Sequence, residues 1–299
     1  MTNTYRVQGK YVLINTKHER ASQPIPSMSS LVYLVQHTCR NFIELRQGKS
    51  FLGRTNVRSG YARIGCHTVG VLMLFEKEAA DENCSQPGAP KRLDGYSKIQ
   101  HLFRLVQKFQ HPIVVFVGGS LSWPDMRRRT QLDQTGGLAS HILSQWYLEV
   151  PIVLIVLSRN VSGNVFGAWL ADKVFAFEDA CFLMAMVDSV ETHLVSISAR
   201  SLRDHGVIDG TMDSLNGSGH DLPAGMPELS QMRVLLNATL KELVSLSSAE
   251  LFRKRMEKVE LIARLASNKT QAISSDNGAT AGLNPRMTGA EVSVPYAHP

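Results

Sequence analysis

The sequence predicts an α/β protein built on a mostly parallel sheet, and three observations predict it. Ile113 to Val117 and Ile152 to Leu157 are unbroken apolar runs rich in β-branched residues, the composition of strands buried on both faces. Each follows a segment whose apolar residues recur at three- and four-residue spacing: Tyr96, Ile99, Leu102, Phe103, Val106 and Phe109 before the first, Leu138, Ile142, Leu143 and Trp146 before the second. The resulting order of helix, strand, loop, helix, strand is repeated βα crossover topology, which chain geometry makes right-handed.

The remaining elements are read in order. Residues 1–27 alternate weakly and then lose pattern at Ala21-Ser-Gln-Pro-Ile-Pro, so they are expected to be a flexible N-terminal arm. Ser29 to Leu45 carries Leu31, Leu34, Val35, Cys39, Phe42 and Ile43 at helical spacing. Tyr61 to Ile64 and Thr68 to Phe75, separated by Gly65-Cys66-His67, read as a hairpin entering the core. Glu76 to Lys91 is polar, with Gly88 and two prolines, and reads as a loop; Asp94-Gly95 then marks the break before the helix from Tyr96. Lys173 to Phe177 and Cys181 to Val187 are further strands, Val195 to His205 a helix, and Gly206-Val-Ile-Asp-Gly a compact turn into a last short strand. Gly217 to Pro227 is expected to be flexible. A long helix covers Leu229 to Leu246, and Ser247-x-x-Glu250 is a capping box opening another to about Leu265. The expected organisation is an arm over 1–27, one domain over 28–266, and a small, polar, disordered tail over 267–299.

Composition narrows the functional classes. With 299 residues, 43% of them hydrophobic and 19% charged, the chain has material for a sizeable core in one large or two small domains. No apolar run approaches the ~20 residues needed to cross a bilayer, and the N-terminus lacks a signal-peptide core, so a cytoplasmic protein with no membrane partner is expected. Cys39, Cys66, Cys84 and Cys181 form no Cys-x-x-Cys pair, which argues against a zinc ribbon or a disulfide framework and for reduced thiols. A net charge of +6 suits an acidic partner, such as a phosphorylated cofactor or an acidic carrier protein. No nucleic-acid-binding motif is present, and no nucleic-acid partner is expected.

The stretch Pro151 to Val174 concentrates the chemistry. A buried strand ends at the polar run Ser158 to Gly163, and Ser162 can cap a short helix whose inner face is Val165, Phe166, Trp169 and Leu170. The first-turn amides of such a helix have no intrahelical partner and can stabilise a developing oxyanion, for example a thioester enolate. An ordinary strand-to-helix connection has the same local pattern. Nothing forms a Ser-His-Asp set, a P-loop or a metal cluster, and His141 and Trp146 read as packing residues.

Several pieces, in their order and spacing over residues 28–266, resemble one family. These are Asp94-Gly-Tyr-Ser-Lys, like that family's Glu-Gly-Tyr-Arg-Lys; Lys108-Phe-Gln-His-Pro-Ile and Leu148-Glu-Val-Pro-Ile-Val, each entering a buried strand; and Ser162-Gly163. Ala171-Asp-Lys-Val, Leu202-Arg-Asp-His-Gly-Val-Ile-Asp, Gly219-His220 and the helix with Ser248-Ala-Glu-Leu-Phe-Arg-Lys-Arg complete the set. The chain resembles the α subunit of the acetyl-CoA carboxylase carboxyltransferase, in the crotonase superfamily, as a divergent member. The resemblance implies a crotonase-like (ClpP/crotonase) fold of repeated ββα units with C-terminal helices. It also implies a zinc-containing β-like partner in a hetero-oligomer and an acyl-CoA or acyl carrier protein substrate. No covalently bound cofactor is implied; biotin would arrive on a separate carrier protein.

Departures from the family pattern fall on its glycine-rich turns. Asp-Thr-Pro-Gly-Ala-Tyr-Pro-Gly is replaced by Gly118-Gly-Ser-Leu-Ser-Trp-Pro-Asp125, and of Gly-Gly-Ser-Gly-Gly only Ser162-Gly163 remains, flanked by Asn160-Val161 and Asn164. Ser-Pro-Glu-Gly becomes Met186-Val-Asp-Ser189. In the family these turns are taken to hold the biotin urea oxygen, and a side chain in place of glycine adds a Cβ that can block the cavity. The substitutions therefore count against a biotin site.

The candidate catalytic residues are Gly163 and Asn164, as backbone oxyanion donors, and Asp188, matching the family's glutamate with shorter reach. Gly118, Gly119, Ser120 and Ser162 are candidate substrate-binding positions, joined by Arg127, Arg128 and Arg129, whose guanidiniums suit a phosphate. The alternatives are a structural turn, a surface aspartate and a solvated basic run. The expected activity works on the carboxyl group of a malonyl-type thioester through an enolate, by carboxyl transfer or by biotin-independent decarboxylation. A decarboxylase of a malonyl group on an acyl carrier protein in polyketide assembly, or a silent subunit that stabilises a β-like partner, are the alternative expectations.

Overall fold

The computed structural model describes residues 2–7, 10–15, 28–45, 57–76, 91–119, 149–158, 160–161, 171–187, 192–212 and 228–279. Its centre is a seven-stranded sheet in the order β12-β9-β7-β6-β5-β4-β3. The strands are β3 (Arg40–Glu44), β4 (Val57–Ile64), β5 (His67–Glu76), β6 (Ile113–Gly119), β7 (Ile152–Val156), β9 (Lys173–Ala176) and β12 (Gly210–Thr211). From β5 to β12 every neighbouring pair is parallel, whereas β3, β4 and β5 are joined antiparallel. The two apolar runs that predicted buried strands are the central pair: every residue of β6 and β7 is buried, and Ile113 to Val117 lie opposite Ile152 to Val156 without a shift. The α/β expectation with a mostly parallel sheet is met.

Helices cover both faces. Gly70 on β5 faces α2 (Lys91–Phe109), where a Cβ would meet the Val106 side chain at 2.5 Å. Gly70 lies opposite Ile113 in register, and Gly118, an odd number of residues further along β6, points to the opposite face, against Leu31 of α1 (Met28–Thr38). Leu31, Leu34 and Val35 are fully buried between that face and α4 (Leu229–Val244), whose Met232, Leu236, Leu240 and Leu243 supply the other side. Gly65 shapes the β4–β5 turn: its φ is +59°, and a Cβ there would collide with the Asn237 amide of α4.

A second sheet has the order β11-β10-β8, with β8 (Asn160–Val161) parallel to β10 (Cys181–Val187) and β11 (Thr192–Ser198) antiparallel to it. β1 (Thr2–Val7) and β2 (Lys10–Asn15) form a separate antiparallel hairpin in the segment expected to be an arm, which accounts for its weak alternation. The chain closes with α5 (Ser248–Ala279) after a short α3 (Ala199–Asp204) earlier on. The capping box is as the sequence predicts: the Ser247 amide and hydroxyl both donate to the Glu250 carboxylate at 2.8 and 2.7 Å, and the Glu250 amide donates back to Ser247 Oγ. These bonds hold the Glu250 carboxyl below the usual carboxylate range.

Element boundaries differ from expectation in several places, most clearly in α1, α2, β11 and α5. α1 stops at Thr38, because Asn41 adopts φ +53° and residues from Arg40 pair as an edge strand with β4. Pairing offers the Phe42-Ile43 segment backbone partners that the apolar spacing alone does not reveal. α2 begins at Lys91 and runs through Asp94-Gly95, showing that one interior glycine does not end a helix buried on its far side. Residues 195–198, expected to open a helix, instead finish β11; Ser198 then caps α3, accepting from the Ser201 amide at 3.2 Å. α5 continues past Leu265 to Ala279, since no proline interrupts 266–279. The expected helix carrying Leu138, Ile142, Leu143 and Trp146, the Glu76–Lys91 loop interior and the Gly217–Pro227 stretch lie outside the described residues.

Cys39, Cys66 and Cys181 form no disulfide among the described residues. Burial pushes the Cys39 thiol up to about 12, with the Arg233 guanidinium offsetting only part of that. Cys66 is exposed in the β4–β5 turn. Brief alkylation followed by peptide mapping is therefore expected to label Cys66 in the folded protein and Cys39 only after denaturation; equal labelling of both would contradict the packing of α1.

Candidate active site at the carboxyl ends of the parallel strands

In an open parallel sheet the crevice for ligands lies beyond the carboxyl ends of the strands. Here β6 runs into Gly118-Gly119 and β7 into Leu157-Ser158, side by side, with the Leu157 amide donating to the Val117 carbonyl at 2.7 Å. The ends of the two strands that lead toward the candidate segments therefore lie side by side. Ser158 is fully buried although polar.

The two glycines of β6 are not equivalent. Gly119 has φ +109°, a region L-residues avoid, and pairs with Glu76 at the very end of β5. A Cβ on Gly118 would make ordinary contacts of 3.4 to 3.6 Å with Leu31 and Phe75. That methyl would add to the packing beneath α1. Gly118→Ala is accordingly expected to leave unfolding free energy within about 1 kcal/mol of wild type. Gly119→Ala should cost about 1–3 kcal/mol through backbone strain. Chemical denaturation of the two variants checks this; equal losses would contradict the distinction.

Beyond Ser158 the chain leaves the large sheet and, two residues later, enters the small one as β8. Val161, which stands where the resemblance places a glycine, is fully buried and lies opposite Phe182 of β10. Ser162, Gly163 and Asn164 follow it directly in sequence and lie outside the described residues, as do Ser120, Arg127, Arg128, Arg129 and Asp188. Of the candidate site positions, Gly118 and Gly119 are thus the two whose structure is described, and they adjoin the carboxyl end of β7. No group of three or more potential metal ligands occurs among the described residues.

The opposite edge of the sheet holds features that sequence reasoning missed. A cavity of about 510 Å³ opens between the β4–β5 turn, the entries to β6 and β7 and the start of α5, lined in part by Cys66, His67, His111 and Glu149. It lies at the amino ends of the strands, opposite the end of β6 that carries Gly118 and Gly119. Beside it an ion-pair cluster fastens α5 to the sheet. Arg255, 2% exposed, donates to both Asp172 oxygens at 2.8 and 2.6 Å and to the Val150 carbonyl, and Asp172 also accepts from the Ile152 amide. Lys258 donates to the carbonyls of Ala171 and Asp172 and to Asp209, which also accepts from the Val174 amide. Lys173 bridges Asp209 and Glu242. Burial draws the Lys258 ammonium below its usual pKa despite Asp209, whereas for Lys173 the Glu242 and Asp209 carboxylates outweigh burial and raise it. The signal was available: Ala171-Asp-Lys-Val, the Asp209 that ends Gly-Val-Ile-Asp, and Arg255 of the terminal helix are all pieces that carry the resemblance.

The α/β scaffold, with Gly118-Gly119 at the carboxyl end of β6 and two closing helices, is that of a carboxyltransferase-type subunit by its relatives. The chain belongs to the acetyl co-enzyme A carboxylase carboxyltransferase-like family, which it matches over residues 24–263. Among curated relatives it is 25% identical over 240 residues to the acetyl-coenzyme A carboxylase carboxyl transferase subunit alpha of Gemmatimonas aurantiaca, covering 75% of this chain and 74% of that one. It is 23% identical over 242 residues to the same subunit of Syntrophomonas wolfei, covering 76% and 75%. At these identities it is a divergent member. Among solved structures it is similar in outline to a chain of the Pseudomonas malonate decarboxylase MdcD-MdcE hetero-dimer, at 12% identity and TM-score 0.45, covering 81% of this chain and 96% of that one. A transcarboxylase 12S chain gives 13% identity and TM-score 0.46, covering 77% of this chain and 45% of that one, so this chain spans under half its length.

Proposed function

We propose that this chain is the α-type subunit of a complex, completed by a β-like carboxyltransferase subunit, that acts on the carboxyl group of a malonyl-type thioester through an enolate. The observation that carries the reading is the in-register pairing of β6 and β7, which sets Gly118-Gly119 beside Leu157-Ser158, four residues ahead of Ser162 in the chain. In decarboxylation the bond between the α-carbon and the carboxyl group breaks, its electron pair passes into the thioester enolate, CO2 leaves, and a proton from solvent adds at the α-carbon. Backbone amides at Gly163 and Asn164, aimed at the enolate oxygen, lower that barrier, with Asp188 orienting the carboxylate or a water and the Arg127–Arg129 run receiving a carrier phosphate.

The reading favours decarboxylation without biotin over carboxyl transfer, because Val161 fills with a buried side chain the space a glycine would leave open. No covalently held cofactor is needed for that step. Excess avidin added to the assembled complex should leave turnover of malonyl thioester unchanged. Inhibition by avidin would reassign the chain to transfer from a biotin carrier.

A further inference from the structure

Between Ser158 and Ala171 the described chain consists of β8 alone, and β8 is held by β10 through two residue pairs, Cys181 opposite Asn160 and Phe182 opposite Val161. Paired residues in neighbouring strands share a face, so Val161 and Phe182 point the same way. Ile197 of β11 lies opposite Phe182 on its other side. All three are fully buried, and Phe182 is among the largest fully buried side chains of the described residues. They form a row across the small sheet with Phe182 at its centre. On the other face of the same strands Cys181 Sγ lies 2.8 Å from Ser196 Oγ.

The geometry points to Phe182 as a positioning residue: by packing against Val161 it fixes β8, and with it the placement of the residues that follow. This rests on the proposed function for its catalytic consequence, but its structural content does not. A strand of two residues has no ladder of its own to resist displacement, whereas β10 and β11 are tied by seven consecutive pairs. Volume lost at Phe182 on the Val161 side is therefore taken up by β8, not by β11. A shift of about 1 Å in a group that contacts a transition state costs about a hundredfold in rate.

The test compares Phe182→Leu with Ile197→Val, which removes volume from the same row on the β11 side, in the complex with the β-like partner. Hydrogen exchange of the peptide carrying Asn160-Val161 is expected to lose protection in Phe182→Leu and to keep it in Ile197→Val at matched global stability. On malonyl thioester, Phe182→Leu is expected to lower kcat about ten- to hundredfold with KM nearly unchanged. Adding Val161→Ile, which refills the gap, should restore most of both signals. Unchanged exchange in Phe182→Leu, or equal loss in both variants, overturns the inference. If the wild-type complex turns over no malonyl thioester, the functional reading fails while the exchange comparison still decides the role of Phe182.

Discussion

Arg255→Met is expected to destabilise the protein by about 3–5 kcal/mol, seen as a lower urea midpoint with an unchanged slope. The guanidinium makes a two-pronged pair with Asp172, and both side chains are almost wholly removed from water, at 2% and 0% exposure. Removing the cation leaves the Asp172 carboxylate buried beside the Ile152 amide, which donates to it at 2.7 Å without neutralising its charge. The cost is that of an uncompensated charge, so neutralising the partner relieves it. Arg255→Met combined with Asp172→Asn should recover about half of the loss or more. Lys258→Met should cost clearly less than Arg255→Met, because Asp209 retains Lys173 and the Val174 amide. Additive losses in the double variant would show that the two residues act separately.

Gly163→Val is expected to reduce turnover by the assembled complex about 10²–10³-fold, the effect of losing one oxyanion donor. Donation from a backbone amide needs no side chain, so what matters is whether the chain can still present that amide to the substrate, and a β-branched residue narrows the backbone geometries available. The complex is still expected to assemble. Unchanged turnover with normal assembly would show that this chain serves its partner structurally. Loss of assembly would place residue 163 in the interface.

What the sequence made legible follows from which forces act locally. β6 and β7 were readable because a strand buried on both faces must be apolar at every position, and Ile113-Val-Val-Phe-Val and Ile152-Val-Leu-Ile-Val leave no other reading. The capping box was readable because Ser247 and Glu250 satisfy each other over one helical turn. β3 and β11 were not, since Phe42-Ile43 and Val195-Ser196-Ile197 become strands through partners elsewhere in the chain, β4 and β10. At the candidate site, glycine identity marked Gly118-Gly119, but the difference between them depends on φ at Gly119 and on Leu31 and Phe75, which only the fold brings near. The Asp172–Arg255 pair joins residues 83 positions apart; the motifs were visible in sequence while their meeting was not.

The enolate is the centre of this account, and decarboxylation in heavy water tests it most directly. Malonyl-CoA and malonyl-loaded carrier protein would each be incubated with this chain and its β-like partner, without biotin, and the products weighed by mass spectrometry. An acetyl thioester carrying solvent deuterium at its α-carbon is the predicted result, the label entering as the enolate is quenched. Unchanged malonyl thioester under these conditions, with carboxyl transfer to an acetyl thioester once a carboxybiotin carrier supplies the carboxyl group, would contradict the biotin-independent reading; silence in both would contradict the catalytic one.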